Sequence, residues 1–145
     1  MKKTVVSFFL LVTVAAFAND PDPVSEKVQS SFKKEFPGAS LISWNETGDY
    51  LKAVFLYAGY RSEAYFTKEG ELEGSARNIF FNQLPLAVTK AVEKRFTNAD
   101  VLEVSEITTA SGTRYLIRLE DESKKGYRVQ YDAGGNNIGF ERAKK

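Results

Sequence analysis

The sequence predicts an α+β fold, a tandem repeat of one helix plus a four-stranded antiparallel meander, with the helices on one face of an antiparallel sheet. Three observations carry this. The stretch Phe32-Lys33-Lys34-Glu35-Phe36-Pro37-Gly38-Ala39 is echoed sixty positions later by Val92-Glu93-Lys94-Arg95-Phe96-Thr97-Asn98-Ala99. Around each copy apolar residues recur at every fourth position, Val24, Val28, Phe32, Phe36 and then Leu84, Val88, Val92, Phe96, which lines them along one side of a helix. After each helix comes a β-rich run, opening with Leu41-Ile42 and with Val101-Leu102.

The elements follow in order. Lys2-Lys3, the apolar run Thr4 to Val14 and the small residues of Ala16-Phe17-Ala18 read as a secretory signal over residues 1–18, cut after Ala18. The apolar run is shorter than the roughly 20 residues needed to span a bilayer. No Cys follows to carry a lipid, so no stable membrane anchor is expected after cleavage. Losing Lys2 and Lys3 takes the formal charge from +1 to −1. Residues 19–23 read as a flexible leader. Asp22 is then the expected N-cap, with Pro23 in the first helical position. The first repeat spans 24–77, 78–83 is a linker, and the second repeat spans 84–145.

Helix one is expected to stop where Pro37 restricts Phe36, and Gly38 to close it in the left-handed conformation. Asn98, the other residue tolerant of that conformation, stands in the same place after helix two. Strands are expected at Leu41–Glu46, Tyr50–Tyr57, Tyr60–Thr67 and Glu71–Ala76, and again at Val101–Thr108, Arg114–Glu120, Gly126–Tyr131 and Asn137–Arg142. Gly70, Gly74 and Phe66 match Gly135, Gly139 and Tyr131 sixty-five positions on. Tyr115, Ile117 and Leu119 alternate with Arg114, Arg118 and Glu120, the pattern of a strand with one wet face. Leu116 interrupts the polar side. By correspondence Leu51, Ala53, Phe55, Ala64, Phe66, Val129 and Tyr131 should point at a helix. Phe80 and Phe81 are expected to seal the seam between halves, and Trp44 to fill space under a helix stop.

Phe-Pro-Gly-Ala at the first helix end, Ser43-Trp44 in the next strand, the Phe66 to Gly70 turn and the Leu-Pro-x-Ala-Val opening at Leu84 to Val88 resemble the PepSY-like family of secreted bacterial proteins, also described as beta-lactamase-inhibitor-like. The resemblance runs over essentially the whole mature chain and rests on structural motifs. It implies a broad, curved sheet with both helices on its other side, and a sheet surface that grips an enzyme or restrains a peptidase. This chain lacks the Cys residues that form disulfides in the inhibitor, and it has Leu72 where relatives often place Trp. No contact residue is carried over.

Composition bounds the chemistry. The 145 residues include no Cys and no His, which excludes disulfides, thiolate nucleophiles and an imidazole base or ligand. A formal charge of +1 offers no broad basic field for nucleic acid. Glu69, Glu71 and Glu73, and the run Glu120-Asp121-Glu122, could supply an acid/base pair, but they read better as solvated hairpin ends. Asp132 to Asn137 resembles part of a calcium loop yet lacks its alternating ligands and closing Glu; a hairpin turn accounts for it. No catalytic residue, metal ligand or cofactor site is expected.

The open sheet face holds the candidate site. Tyr50, Lys52, Val54, Leu56, Arg61, Glu63 and Tyr65 from the first half, with Arg114, Leu116, Arg118, Arg128 and Gln130 from the second, should point away from the helices. Tyr and Arg are the types that dominate binding energy at interfaces, so Tyr50, Arg61, Tyr65, Arg114, Arg118 and Arg128 are the partner-binding candidates. The expected function is a non-catalytic periplasmic or secreted module that binds a protein or peptide. A carboxylate-dependent envelope hydrolase and a structural envelope component are the alternatives.

Overall fold

The computed structural model describes residues 24–142; the expected signal, leader and Asp22 cap lie outside them. Helix α1 is Glu26–Glu35 and helix α2 is Leu86–Arg95. Ser25 caps α1, its hydroxyl accepting the Val28 N–H at 3.4 Å. Glu26 in the first turn and Lys33 and Lys34 in the last complement the helix dipole. Both helices end one residue after their last regular turn, where the Phe36 and Phe96 N–H groups donate to Phe32 and Val92. Gly38 (φ +80°) and Asn98 (φ +61°) then reverse the chain in the left-handed region, as their residue types require.

The strands are β1 (Ser40–Thr47), β2 (Tyr50–Tyr57), β3 (Tyr60–Phe66), β4 (Leu72–Ile79), β5 (Asp100–Thr109), β6 (Gly112–Glu120), β7 (Gly126–Asp132) and β8 (Asn137–Arg142). They form one eight-stranded sheet in chain order, every neighbouring pair antiparallel. The class is α+β, but the expected tandem repeat of helix plus four-stranded meander is corrected. The strands form a single open sheet, with two α-helices and one short 3-10 turn at Phe81–Gln83 among the described residues. The reason lies at β4 and β5, which pair without a break from Gly74↔Thr109 to Ile79↔Val104. Backbone donors and acceptors along β4 are satisfied across that line, so no sheet edge remains between halves. Asn78 and Ile79, expected in a linker, are the last residues of β4.

Register shows that the helices share a face. Phe55, Ser62, Arg77, Glu106, Tyr115 and Tyr131 are successive cross-strand partners or neighbours of that row, and cross-strand partners project to one side. Phe55 packs with Val28 and Phe32 of α1, while Tyr115 and Tyr131 pack with Val88 and Val92 of α2. Two apolar clusters therefore lie on one side of one sheet. The first is aromatic: Phe32 meets Phe55 edge-on at 5.0 Å and Trp44 at 5.7 Å, so Trp44 packs in the core as expected.

Between the clusters the helix-side surface is polar. Arg77 Nε on β4 donates to Glu106 Oε1 on β5 at 2.8 Å, and its guanidinium lies over the Tyr60 ring. The segment into α2 is held by Gln83, whose Oε1 accepts the Phe80 N–H at 2.8 Å and whose Nε2 donates to the Tyr60 hydroxyl at 2.7 Å. Phe81 packs partly against the α2 cluster. Phe80 does not seal the seam as expected; 73% of it is exposed, at the head of a short 3-10 turn where its backbone N–H is tied to Gln83.

Candidate binding face

The side of the sheet opposite the helices carries the predicted site residues, and four β-bulges decide where they stand. Register shifts at Leu41/Ser43 and Val101/Glu103, and at Tyr65/Phe66 and Gln130/Tyr131. The extra residue in a bulge changes which neighbours face the same way and adds local twist. After the β5 bulge, Glu103 and Ser105 stand opposite Arg118 and Leu116, on the open side.

The most developed feature is a row of four charges across the second half. Glu103, Arg118, Arg128 and Glu141 are consecutive cross-strand partners on β5, β6, β7 and β8. Arg118 Nη1 donates to Glu103 Oε2 at 2.8 Å, and Arg128 Nη1 donates to Glu141 Oε2 at 3.3 Å. Directly opposed like charges are unfavourable in a sheet. Here each guanidinium of the central pair is offset by a carboxylate on its outer side. Glu103 also accepts the Asn78 amide N–H at 3.3 Å, and the Ser105 hydroxyl donates to Asn78 Oδ1 at 3.4 Å. The row borders a hollow of about 420 Å³ whose remaining wall is Ser105, Leu116 and Gln130. Leu116, which interrupts the polar alternation of its strand, is the apolar part of that wall.

A second cluster lies on β2 and β3. Tyr65 donates its hydroxyl to Glu63 Oε2 at 3.0 Å, and Lys52 Nζ approaches Glu63 Oε1 at 3.7 Å. Partial burial, then the hydrogen bond to Glu63 and its charge, raise the Tyr65 phenol above the ordinary tyrosine value. Val54, expected on the open face, is only 4% exposed; it stands between Ser43 and Glu63 on the neighbouring strands.

Of the six candidates, only Arg118 and Arg128 are direct partners. Tyr65 is bound to Glu63. Four strand spacings separate it from Arg128, about 19 Å at the usual spacing. Arg61 stands opposite Leu56, Arg114 between Ile107 and Asp132, and Tyr50 opposite Thr47 at the β1–β2 turn. The prediction missed Glu103, Glu141, Asn78 and Ser105. Simple alternation starting from Val101 places Glu103 with Val101, and the bulge breaks that count. The signal that could have found it was one pair of opposite charges, Glu103 and Arg118, at matching distances from the β5–β6 turn.

The carboxylate-rich turns are hairpin ends. Asp121 Oδ1 accepts the Ser123 and Lys125 N–H groups at 2.8 and 3.0 Å, and Oδ2 accepts the Tyr127 hydroxyl at 2.9 Å. Asp132 Oδ1 accepts the Gly134 and Asn136 N–H groups at 2.9 and 3.0 Å. Those donors, the Lys125 backbone foremost for Asp121 and the Asn136 side chain foremost for Asp132, hold both carboxyls below the usual aspartate range. The segment that resembles part of a calcium loop is thus a hairpin turn filled by N–H donors. Among the described residues no group of three or more acidic side chains is placed to hold a metal ion. No described helix is long and apolar enough to cross a membrane.

No protein-family profile matches the sequence, and no curated protein matches it. Solved structures do match. A BLIP-like protein from Bacteroides fragilis superposes with a TM-score of 0.74 at 23% identity, over 83% of this chain and 86% of that one. The fold is shared with that BLIP-like protein. A DUF2874 family protein from Bacteroides ovatus gives 0.77 at 21% identity, over 84% and 89%. A Bacteroides eggerthii protein provisionally assigned to the periplasm gives 0.78 at 20% identity, over 83% and 89%. At these identities the likeness is one of fold. It extends to the BLIP-like part of the motif resemblance; the PepSY relation has no counterpart among these structures.

Proposed function

We propose that this chain is a non-catalytic binding module of the periplasm or the extracellular space, recognising a protein or an extended peptide through its open sheet face and thereby restraining an envelope enzyme. The observation that carries the reading is the hollow beside the Glu103–Arg118–Arg128–Glu141 row, where two half-exposed guanidiniums, an aliphatic side chain and one amide converge on the sheet. Such a face needs little rearrangement to bind, and arginine anchors of this kind supply a large share of interface energy. The motif resemblance and the fold shared with a BLIP-like protein point the same way, and the shared fold of a protein assigned to the periplasm supports the compartment.

The hydrolase alternative needs two carboxylates about 5–9.5 Å apart across a substrate. Glu103 and Glu141 are the acids of the hollow, and three strand spacings set their backbones about 14 Å apart. Each is tied to an arginine. A purely structural component would have no use for a charged hollow.

The test is affinity capture from the periplasm of the native host with wild-type protein and a Tyr65→Ala, Arg128→Ala double variant. Partners recovered by the wild type and lost by the variant support the reading. The same partners with both, or none with either, would reduce the face to a solvated surface.

A further inference from the structure

We infer that the open face reads an extended segment carrying alternating charges, basic-x-acidic-x-basic, laid along the Glu103–Arg118–Arg128–Glu141 row; this rests on the binding-module reading above and names its partner chemistry. The row is a fixed pattern of minus, plus, plus, minus, because its members are consecutive partners in one register. Adjacent strands lie about 4.8 Å apart, so the two glutamates sit about 7 Å either side of the row's midpoint. In an extended peptide, side chains on one face recur every two residues, about 6.6 Å. A peptide crossing the strands with its acidic residue over the midpoint therefore brings the basic residues at i−2 and i+2 over Glu103 and Glu141.

The donors are available for this. Arg118 and Arg128 each have five N–H donors, and each makes one hydrogen bond to a carboxylate among the described residues, on its outer side. Both arginines line the hollow, where one carboxylate can accept from both guanidiniums in the short, charge-assisted geometry such pairs favour. Leu116 and Gln130 stand opposite each other beside the arginines, offering an aliphatic seat for the peptide and an amide for its backbone. A uniformly acidic segment fits worse, since its outer acids would meet Glu103 and Glu141. A uniformly basic one would meet the arginine pair.

The experiment uses the full mature chain and two capped synthetic peptides, Lys-Thr-Glu-Thr-Lys and its inverse Glu-Thr-Lys-Thr-Glu, titrated at low salt and followed by amide chemical shifts. The first peptide should perturb β5–β8 and bind at least about tenfold more tightly than the second, the scale expected when several exposed ion pairs are reversed together. Arg118→Ala with Arg128→Ala should abolish the difference, and Glu69→Ala in the exposed β3–β4 turn should leave it unchanged. Inverting the row with Glu103→Lys, Arg118→Glu, Arg128→Glu and Glu141→Lys should reverse the preference, and its own amide spectrum reports whether it folds. Equal binding of the two peptides, binding of neither, or perturbation confined to β1–β4 overturns the inference. Partner capture that survives Arg118→Ala with Arg128→Ala but fails with Tyr65→Ala would overturn it while leaving the open-face reading intact.

Discussion

At the residue scale the clearest anomaly is Tyr131. It is 2% exposed and its hydroxyl has no hydrogen-bond partner among the described residues, whereas Phe66, which fills the matching place beside α1, has no hydroxyl to satisfy. A buried unpaired hydroxyl costs about 1–3 kcal/mol. Tyr131→Phe should therefore raise the urea midpoint, with stability increased by about 1 kcal/mol; a clear decrease would show that the hydroxyl has a partner. Phe66 behaves oppositely. It is fully buried, meets Phe32 edge-on and lies tilted against Trp44, so Phe66→Ala should cost about 3–5 kcal/mol through lost contact and a cavity. The buried positions were legible because period-two alternation marks them. The missing partner of Tyr131 was not, since whether a hydroxyl is satisfied depends on what packs over it.

At the element scale the β7–β8 turn joins sheet to helix. Gly135 has φ +81°, and a Cβ there would lie 2.5 Å from the Ala87 carbonyl oxygen of α2. Gly70, in the matching turn beside α1, would meet the movable Ser31 hydroxyl at 2.9 Å. Gly135→Ala should thus destabilise more than Gly70→Ala, by about 2 kcal/mol or more in total, read from thermal unfolding. Equal effects would mean that backbone strain alone matters.

The same turn sets a pH dependence. The folded carboxyl of Asp132 titrates below its unfolded value because the Asn136 side chain, then the backbone N–H groups of Asn136 and Gly134, donate to the charged form. Its contribution is present above the unfolded aspartate value near 3.9 and is lost as pH falls through the folded one. Asp132→Ala should lower the unfolding midpoint at pH 7, and the gap to wild type should close toward pH 2. A gap independent of pH would assign the effect to turn propensity alone. Turn location was readable from Gly-Gly and Asn; which donors reach the carboxylate depended on the folded loop.

At the scale of the whole molecule, two apolar clusters share one sheet through the β4–β5 pairing and the Arg77–Glu106 contact. Cooperativity across that seam predicts a single unfolding transition. Phe66→Ala, which weakens only the α1 cluster, should shift hydrogen-exchange protection in β6 and β7 along with that in β2 and β3. Two separated transitions, or protection lost on one side only, would show that the halves unfold independently.

What the sequence by itself determined was local. The apolar sides of the helices follow from four-residue spacing, their ends from Gly38 and Asn98, and the buried sides of β2, β3, β6 and β7 from alternation, because these depend on neighbours within a few residues; the starts do not, since Ser25 and Pro85, not Asp22 or Leu84, precede the first helical residues. Tertiary structure alone decided that β4 pairs with β5 to make one sheet, that Phe80 is left in solvent, and that Glu103 and Glu141 bracket Arg118 and Arg128. Those outcomes depend on inter-strand register. One bulged residue such as Leu102 changes that register for everything after it, and no local pattern records the change.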